Sequence, residues 1–266
     1  MRHGSWLLVL SCCFHFGCGE DTPRNEEVID AQVLAVCDTY CQTLQACGEA
    51  SNSCQADCLE LEATQFYRPG CLECVGQASC DSLDSCSCVR TIALDLVGAV
   101  VGPGKSDGTG WDSGEVPEEA WSALAQATTG DPAEIVSRVL QAVSSSTIGA
   151  LSKPDVKGTA NVNIDGWYDP GNELTLDAIE DNFQPVWTSG NAYINLSLKT
   201  SLRLRVTLVD EDVLNHDPIG TVELTAQDIR AALAAGTTHS IFVGDQTPNR
   251  NRPQILIITI SVREQR

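Results

Sequence analysis

The chain has 266 residues, 42% of them hydrophobic, and a formal net charge of −20. That length accommodates one large or two modest domains with a packed core. The acidity excludes nucleic acid and simple attraction to anionic membranes, because the summed field repels phosphate, while solubility outside a cell and cation binding stay compatible with it.

The first residues read as an export signal spanning 1–17. Arg2 and His3 make a short polar start, and Trp6 to Phe16 is apolar but too short to cross a bilayer as a helix. Gly17-Cys18-Gly19 then gives way to Glu20-Asp21. A small residue directly before a cysteine at the end of an apolar region resembles a bacterial lipoprotein cleavage box, which implies lipidation at Cys18. His15 stands where that box has an aliphatic residue; ordinary cleavage nearby or lipidation at Cys12 are the alternatives. Residues 18–30 form a polar, acidic tether. The expected location is the outer membrane or cell surface, as an exported lipoprotein, with the periplasm or the medium as alternatives.

Of 13 cysteines, Cys12, Cys13 and Cys18 lie in the leader; the others are Cys37, Cys41, Cys47, Cys54, Cys58, Cys71, Cys74, Cys80, Cys86 and Cys88. An even set concentrated in a short exported segment reads as disulfides, which stabilise a unit too small to bury much apolar surface. Cys37 and Cys41 share one face of a helix over Ala31 to Ala46, and Cys54 and Cys58 share one face over Ser53 to Thr64. Two such helices running antiparallel are stapled by Cys37–Cys58 and Cys41–Cys54, one geometric solution among those the sequence leaves open. Helices stitched this way resemble the twin CxxxC hairpins of small oxidised proteins. Cys71-x-x-Cys74 also has zinc-ligand spacing, but the segment carries no histidine and the chain is exported. Residues 31–88 are thus expected to form a Cys-rich helical domain.

After Cys88 the composition changes. Thr91 to Val101 is a strand by length and β-branching, and it runs into the glycine-rich turn Gly102–Asp112. Two helices follow in a segment over 113–152: Pro117 to Ala127, with Pro and acids in its first turn, and Asp131 to Val143, opening on an N-cap, Pro and Glu. Further extended runs fall at Val156–Ile164, Leu174–Ile179, Ala192–Leu198, Leu202–Val209, Thr221–Leu224, His239–Val243 and Ile255–Val262, with a short helix at Ala226–Ala235 capped by Gly236. With the first strand they make an eight-stranded antiparallel sandwich over 89–266.

The most informative stretch is Val209-Asp210-Glu211-Asp212-Val213-Leu214-Asn215-His216-Asp217-Pro218-Ile219-Gly220. A strand of alternating apolar residues delivers Asp210 and Asp212 onto a loop tip, and Asp217 follows before Ile-Gly restarts an extended run. Carboxylates spaced i, i+2 on an irregular loop converge on one point, where a hard divalent cation with many oxygen ligands compensates their repulsion; Ca2+ suits a flexible loop better than Mg2+. The bland alternative is a solvated acidic turn.

Leu202–Gly220, Lys153-Pro-Asp-Val156 and Gln184-Pro-Val-Trp187, in this order of strands, resemble the C2 domain, a calcium-dependent phospholipid-binding sandwich. The resemblance covers about 89–266. It implies the permuted, phospholipase-C-like strand order, since no strand precedes Thr91 and one occupies Ile255–Val262. It also implies a Ca2+ site built from Asp107, Asp112 and Asp155 of loop 1 and Asp210, Asp212 and Asp217 of loop 3, with the helical segment 113–152 inserted in loop 1. Trp111, Val213 and Leu214 fall where loop tips enter an interface, with packing inside the loops as the alternative, and Lys105 is placed to help a headgroup. Asp165 and Asp169 compete for loop 1, but leave too little chain before Pro185.

Catalysis has little footing: no Gly-x-Ser-x-Gly elbow, His-Glu-x-x-His or phosphate-cradling glycine loop occurs. The expected function is a non-enzymatic, membrane-anchored calcium-binding module engaging a phospholipid surface or a protein partner. The alternative is a structural or adhesion lipoprotein whose sandwich binds no metal.

Overall fold

The computed structural model describes residues 31–265 apart from 65, 67, 69, 87, 113, 165, 188–191 and 213–215. The expected signal 1–17, the tether 18–30 with Cys18, the loop residues Val213 and Leu214, and Asp165 lie outside the described residues.

Helices α1 (Ala31–Ala46), α2 (Cys54–Thr64) and α3 (Cys71–Gln77) and a 3-10 turn at Cys80–Ser85 make the N-terminal unit. Five disulfides join Cys37–Cys58, Cys41–Cys54, Cys47–Cys80, Cys71–Cys88 and Cys74–Cys86. The first two are the staples that one-face spacing on paired helices predicts. Cys71 and Cys74, whose spacing also suited zinc, enter separate bridges. Five bridges point to an oxidising, extracellular or periplasmic environment. None of the described helices is long and apolar enough to cross a membrane. This unit has a small core of its own around Cys37, Cys58, Cys71, Leu72 and Val75. Phe66 reaches out of it into the main core, and Arg68 donates to the carbonyl of Gln265 at 3.3 Å.

The rest is an antiparallel two-sheet sandwich. Its strands are β1 (Thr91–Val101), β2 (Val156–Ile164), β3 (Trp167–Tyr168), β4 (Leu174–Ile179), β5 (Ala192–Ser197), β6 (Arg203–Glu211), β7 (His216–Thr225), β8 (Thr238–Phe242) and β9 (Ile255–Glu264). One sheet runs β5-β1-β9-β8; the other runs β3-β2-β6-β7, with β4 also on β2. All eight expected strands are present, and a two-residue β3 adds a ninth among the described residues. The last strand pairs antiparallel along the first, from Ile92–Glu264 to Val101–Ile255, the place beside β1 that the permuted order gives to a C-terminal strand. β9 sits inside its sheet, and helix α7 (Ala226–Ala235) packs against it, which is why Ile255-Leu-Ile-Ile258 is a continuous apolar run.

The inserted segment carries α4 (Glu118–Ala127), α5 (Pro132–Val143) and the single turn α6 (Ser146–Gly149). Asp131 caps α5 by accepting from the Ala133 N–H at 3.0 Å, as the Asp-Pro-Ala-Glu pattern predicts. Trp121, Leu124, Val139, Val143 and Ile148 are buried in the same cluster as the sandwich core. Gln184-Pro-Val-Trp187 lies along the edge of β1: Ala99 donates to the Pro185 carbonyl at 3.1 Å and Trp187 to that of Val97 at 2.8 Å.

Candidate metal centre

The end of β6 builds the site. Leu204, Val206 and Leu208 point into the core, and the two-residue period carries Asp210 onto the same inward face. Asp210 is only 1% exposed. One carboxylate oxygen accepts from the Asp155 N–H at 2.7 Å. The other is buried and has no hydrogen-bond partner, a costly state for a carboxylate oxygen. Burial is the main reason its pKa rises from 3.8 to about 6, and the neighbouring charges of Asp212, Asp112 and Asp155 add to it against the pull of the Asp155 N–H.

Asp112, Asp210 and Asp212 each offer a carboxylate oxygen within 4.8 Å of the others. Asp112 arrives from far away in sequence because the inserted segment closes on itself. Ser152 Oγ, at its far end, donates to Asp112 Oδ2 at 2.6 Å. Beside Asp112, Trp111 is 1% exposed and its indole N–H donates to the Gly102 carbonyl at 3.0 Å. Trp111 is therefore a core residue that fixes the loop, which corrects its expected place at a tip: the indole is consumed by packing.

Asp155 stands at the edge of the cluster. Its Oδ1 accepts from the Asp181 N–H at 2.8 Å, and its carbonyl from the Glu211 N–H at 2.8 Å. Asp217 is the cross-strand partner of Asp210, and its carboxylate is engaged by Lys105 Nζ at 2.5 Å. Asp107 is not brought into the group of three. It is exposed, its carboxylate accepts from the N–H and hydroxyl of Thr109, and those bonds hold it below the usual carboxylate range. Asp169 caps the short turn after β3 by accepting from the Gly171 N–H.

The expected irregular loop over 210–220 is shorter than the sequence suggested, because the ladder continues through Asp210–Asp217 and Glu211–His216. One bulge interrupts it. Leu208 faces Gly220 and Val209 faces Pro218, leaving Ile219 as the extra residue, 1% exposed. Gly220 has φ of 144°, a conformation open to glycine and strained for other residues. The Ile-Gly pair is thus a buried anchor followed by a bulge glycine, and it sets where Asp217 emerges. Sequence reading placed Asp210 on a tip and missed that it is desolvated, although the in-phase series Leu204, Val206, Leu208 held that signal.

No family model matches the chain, and neither does any curated protein. Among solved structures, human GIVD cytosolic phospholipase A2, in complex with an inhibitor and terbium chloride, aligns at 12% identity and TM-score 0.34, over 66% of this chain and 18% of that one. The calcium-bound tandem C2 domains of extended-synaptotagmin 2 align at 13% identity and TM-score 0.34, over 65% of this chain and 45% of that one. A structure of CC2D1B aligns at 9% and 0.33, over 88% and 84%. This chain spans less than half the length of the first two. At such identities and scores the likenesses add nothing to the strand order seen here, and what those proteins bind stays with them.

Proposed function

We propose that this chain is an exported, non-catalytic calcium-binding module with a C2-like sandwich, anchored through a lipidated Cys18, which engages phospholipid or a protein partner at the loop end of the sandwich. One observation carries the metal reading: Asp210 keeps a buried oxygen without a partner, and its carboxylate stands in one group with those of Asp112 and Asp212. A cation suits that oxygen where a proton donor is absent, and an all-oxygen carboxylate set selects a hard ion. Asp112, Asp210 and Asp212 would hold it, with Asp155 adjacent. Bound calcium supplies positive charge to which a lipid phosphate or a partner carboxylate adds an oxygen. The residues do the rest. The Asp155 N–H orients Asp210, Ser152 orients Asp112, and the buried Trp111, bonded to the Gly102 carbonyl, pins the loop that carries Asp112.

Thermal unfolding of the oxidised chain in EDTA and in rising CaCl2 tests this, beside an Asp210→Asn/Asp212→Asn variant. At about a hundred times the dissociation constant, calcium adds roughly 2.7 kcal/mol to the native state. Millimolar affinity suffices outside a cell. A saturable rise absent from the variant supports the site. No rise up to several millimolar would leave a metal-free structural scaffold as the better account.

A further inference from the structure

Lys105 does not behave as a solvated surface lysine. It sits on a tight turn after β1, where its N–H donates to the Thr109 carbonyl at 2.8 Å and its own carbonyl accepts from Gly108 at 2.9 Å. A Cβ added at Gly104 would stand 2.4 Å from the Thr109 carbonyl oxygen, so the turn has no slack. The turn is also tied from outside: Asn249 donates to the Ser106 carbonyl at 3.0 Å, and Arg252 to that of Asp107 at 2.7 Å. Out of this fixed frame the ammonium reaches Asp217 at 2.5 Å, half-buried, and feels the charges of Asp210 and Asp212 beyond it. A cation paired with Asp217 and within reach of the charges of Asp210 and Asp212 screens part of the repulsion that a metal ion would screen there.

We infer that Lys105 takes the place of a second cation, so that the site holds a single calcium on Asp112, Asp210 and Asp212 while Asp217 is reserved for the ammonium. This rests on the calcium reading above and adds to it the stoichiometry of the site and the residue that sets it. The charges divide accordingly. One divalent ion answers the three clustered carboxylates, and the tethered monovalent one answers the fourth. A second calcium would have to displace a short ion pair and share the site with the positive charge of the ammonium.

The test is a calcium titration of the intact, disulfide-bonded chain by calorimetry, with ions counted by native mass spectrometry. It compares wild type, Lys105→Met, Lys105→Arg and Lys105→Met/Asp217→Asn, with Asp210→Asn as the control for adventitious binding. Wild type and Lys105→Arg are expected to bind one ion. Lys105→Met should bind two, with the first held about tenfold more tightly once a like charge is gone, and adding Asp217→Asn should return it to one. Lys105→Gln replaces Lys105→Met if the latter fails to fold. Two ions on wild type, or one ion on Lys105→Met at unchanged affinity, would overturn the inference. Calcium on neither wild type nor Lys105→Met would instead bring down the calcium reading itself, and the two failures are told apart by that comparison.

Discussion

Replacing Asp210 by Asn should stabilise the metal-free protein, although it removes a residue at the heart of the site. In the folded chain the carboxyl is buried beside Asp212, Asp112 and Asp155, and its pKa stands at about 6 against an ordinary 3.8. That difference corresponds to about 3 kcal/mol by which folding disfavours the charged form at pH 7. The sign follows from proton binding. Between pH 4 and 6 the folded state holds a proton that the unfolded state has released, so wild-type stability falls as pH rises through this window. Above pH 6 the full penalty is present. Asn keeps an oxygen for the Asp155 N–H, 2.7 Å away in the wild type, and gives the neighbouring carboxylates an amide in place of a like charge. In EDTA at pH 7 the variant should melt roughly 6–12 °C above wild type for a chain of this size, and the gap should close by pH 4. In calcium the order should narrow or invert, because only wild type gains. A variant that is neutral or destabilised in EDTA at pH 7 would refute the claim that Asp210 is a desolvated charge.

Gly220→Ala places a side chain at φ of 144° on the β7 bulge and should cost about 1–3 kcal/mol in urea unfolding. Calcium affinity in the same variant should change little, since Asp217, which the bulge aims, pairs with Lys105 and not with the ion. Trp111→Phe retains the aromatic bulk but leaves the Gly102 carbonyl without its indole donor. A loss of about 1–3 kcal/mol is expected in urea, and unchanged stability would return Trp111 to the loop surface that sequence suggested.

Much of the fold could be read in the residues because the patterns were local. The spacing of Cys37 with Cys41 and of Cys54 with Cys58 gave two bridges, Asp131-Pro132 gave a helix start, and period-two runs gave the strands. The remaining bridges were not legible, because Cys47–Cys80, Cys71–Cys88 and Cys74–Cys86 depend on how α3 and the turn after it pack. The candidate site was legible on β6, where acids follow an apolar strand, and less so in loop 1. Nothing in the sequence shows that Ser152, at the far end of the insertion, returns to bond Asp112. The role of Lys105 was equally hidden, because its partner Asp217 lies 112 positions further along the chain.

The five bridges also decide how the chain carries a pull. With Cys37 bonded to Cys58, Cys47 to Cys80 and Cys71 to Cys88, tension applied upstream of α1 divides between the Cys47–Cys80 route and the stretch between Cys58 and Cys71. That stretch holds Phe66, sunk in the sandwich core, and Arg68, bonded to Gln265 at the far end of β9. The unit is then a cross-braced spacer, and one of its covalent routes is itself clamped to the final strand. Tension on that route acts on Phe66 and Arg68, so it is delivered to the sandwich core and its last strand.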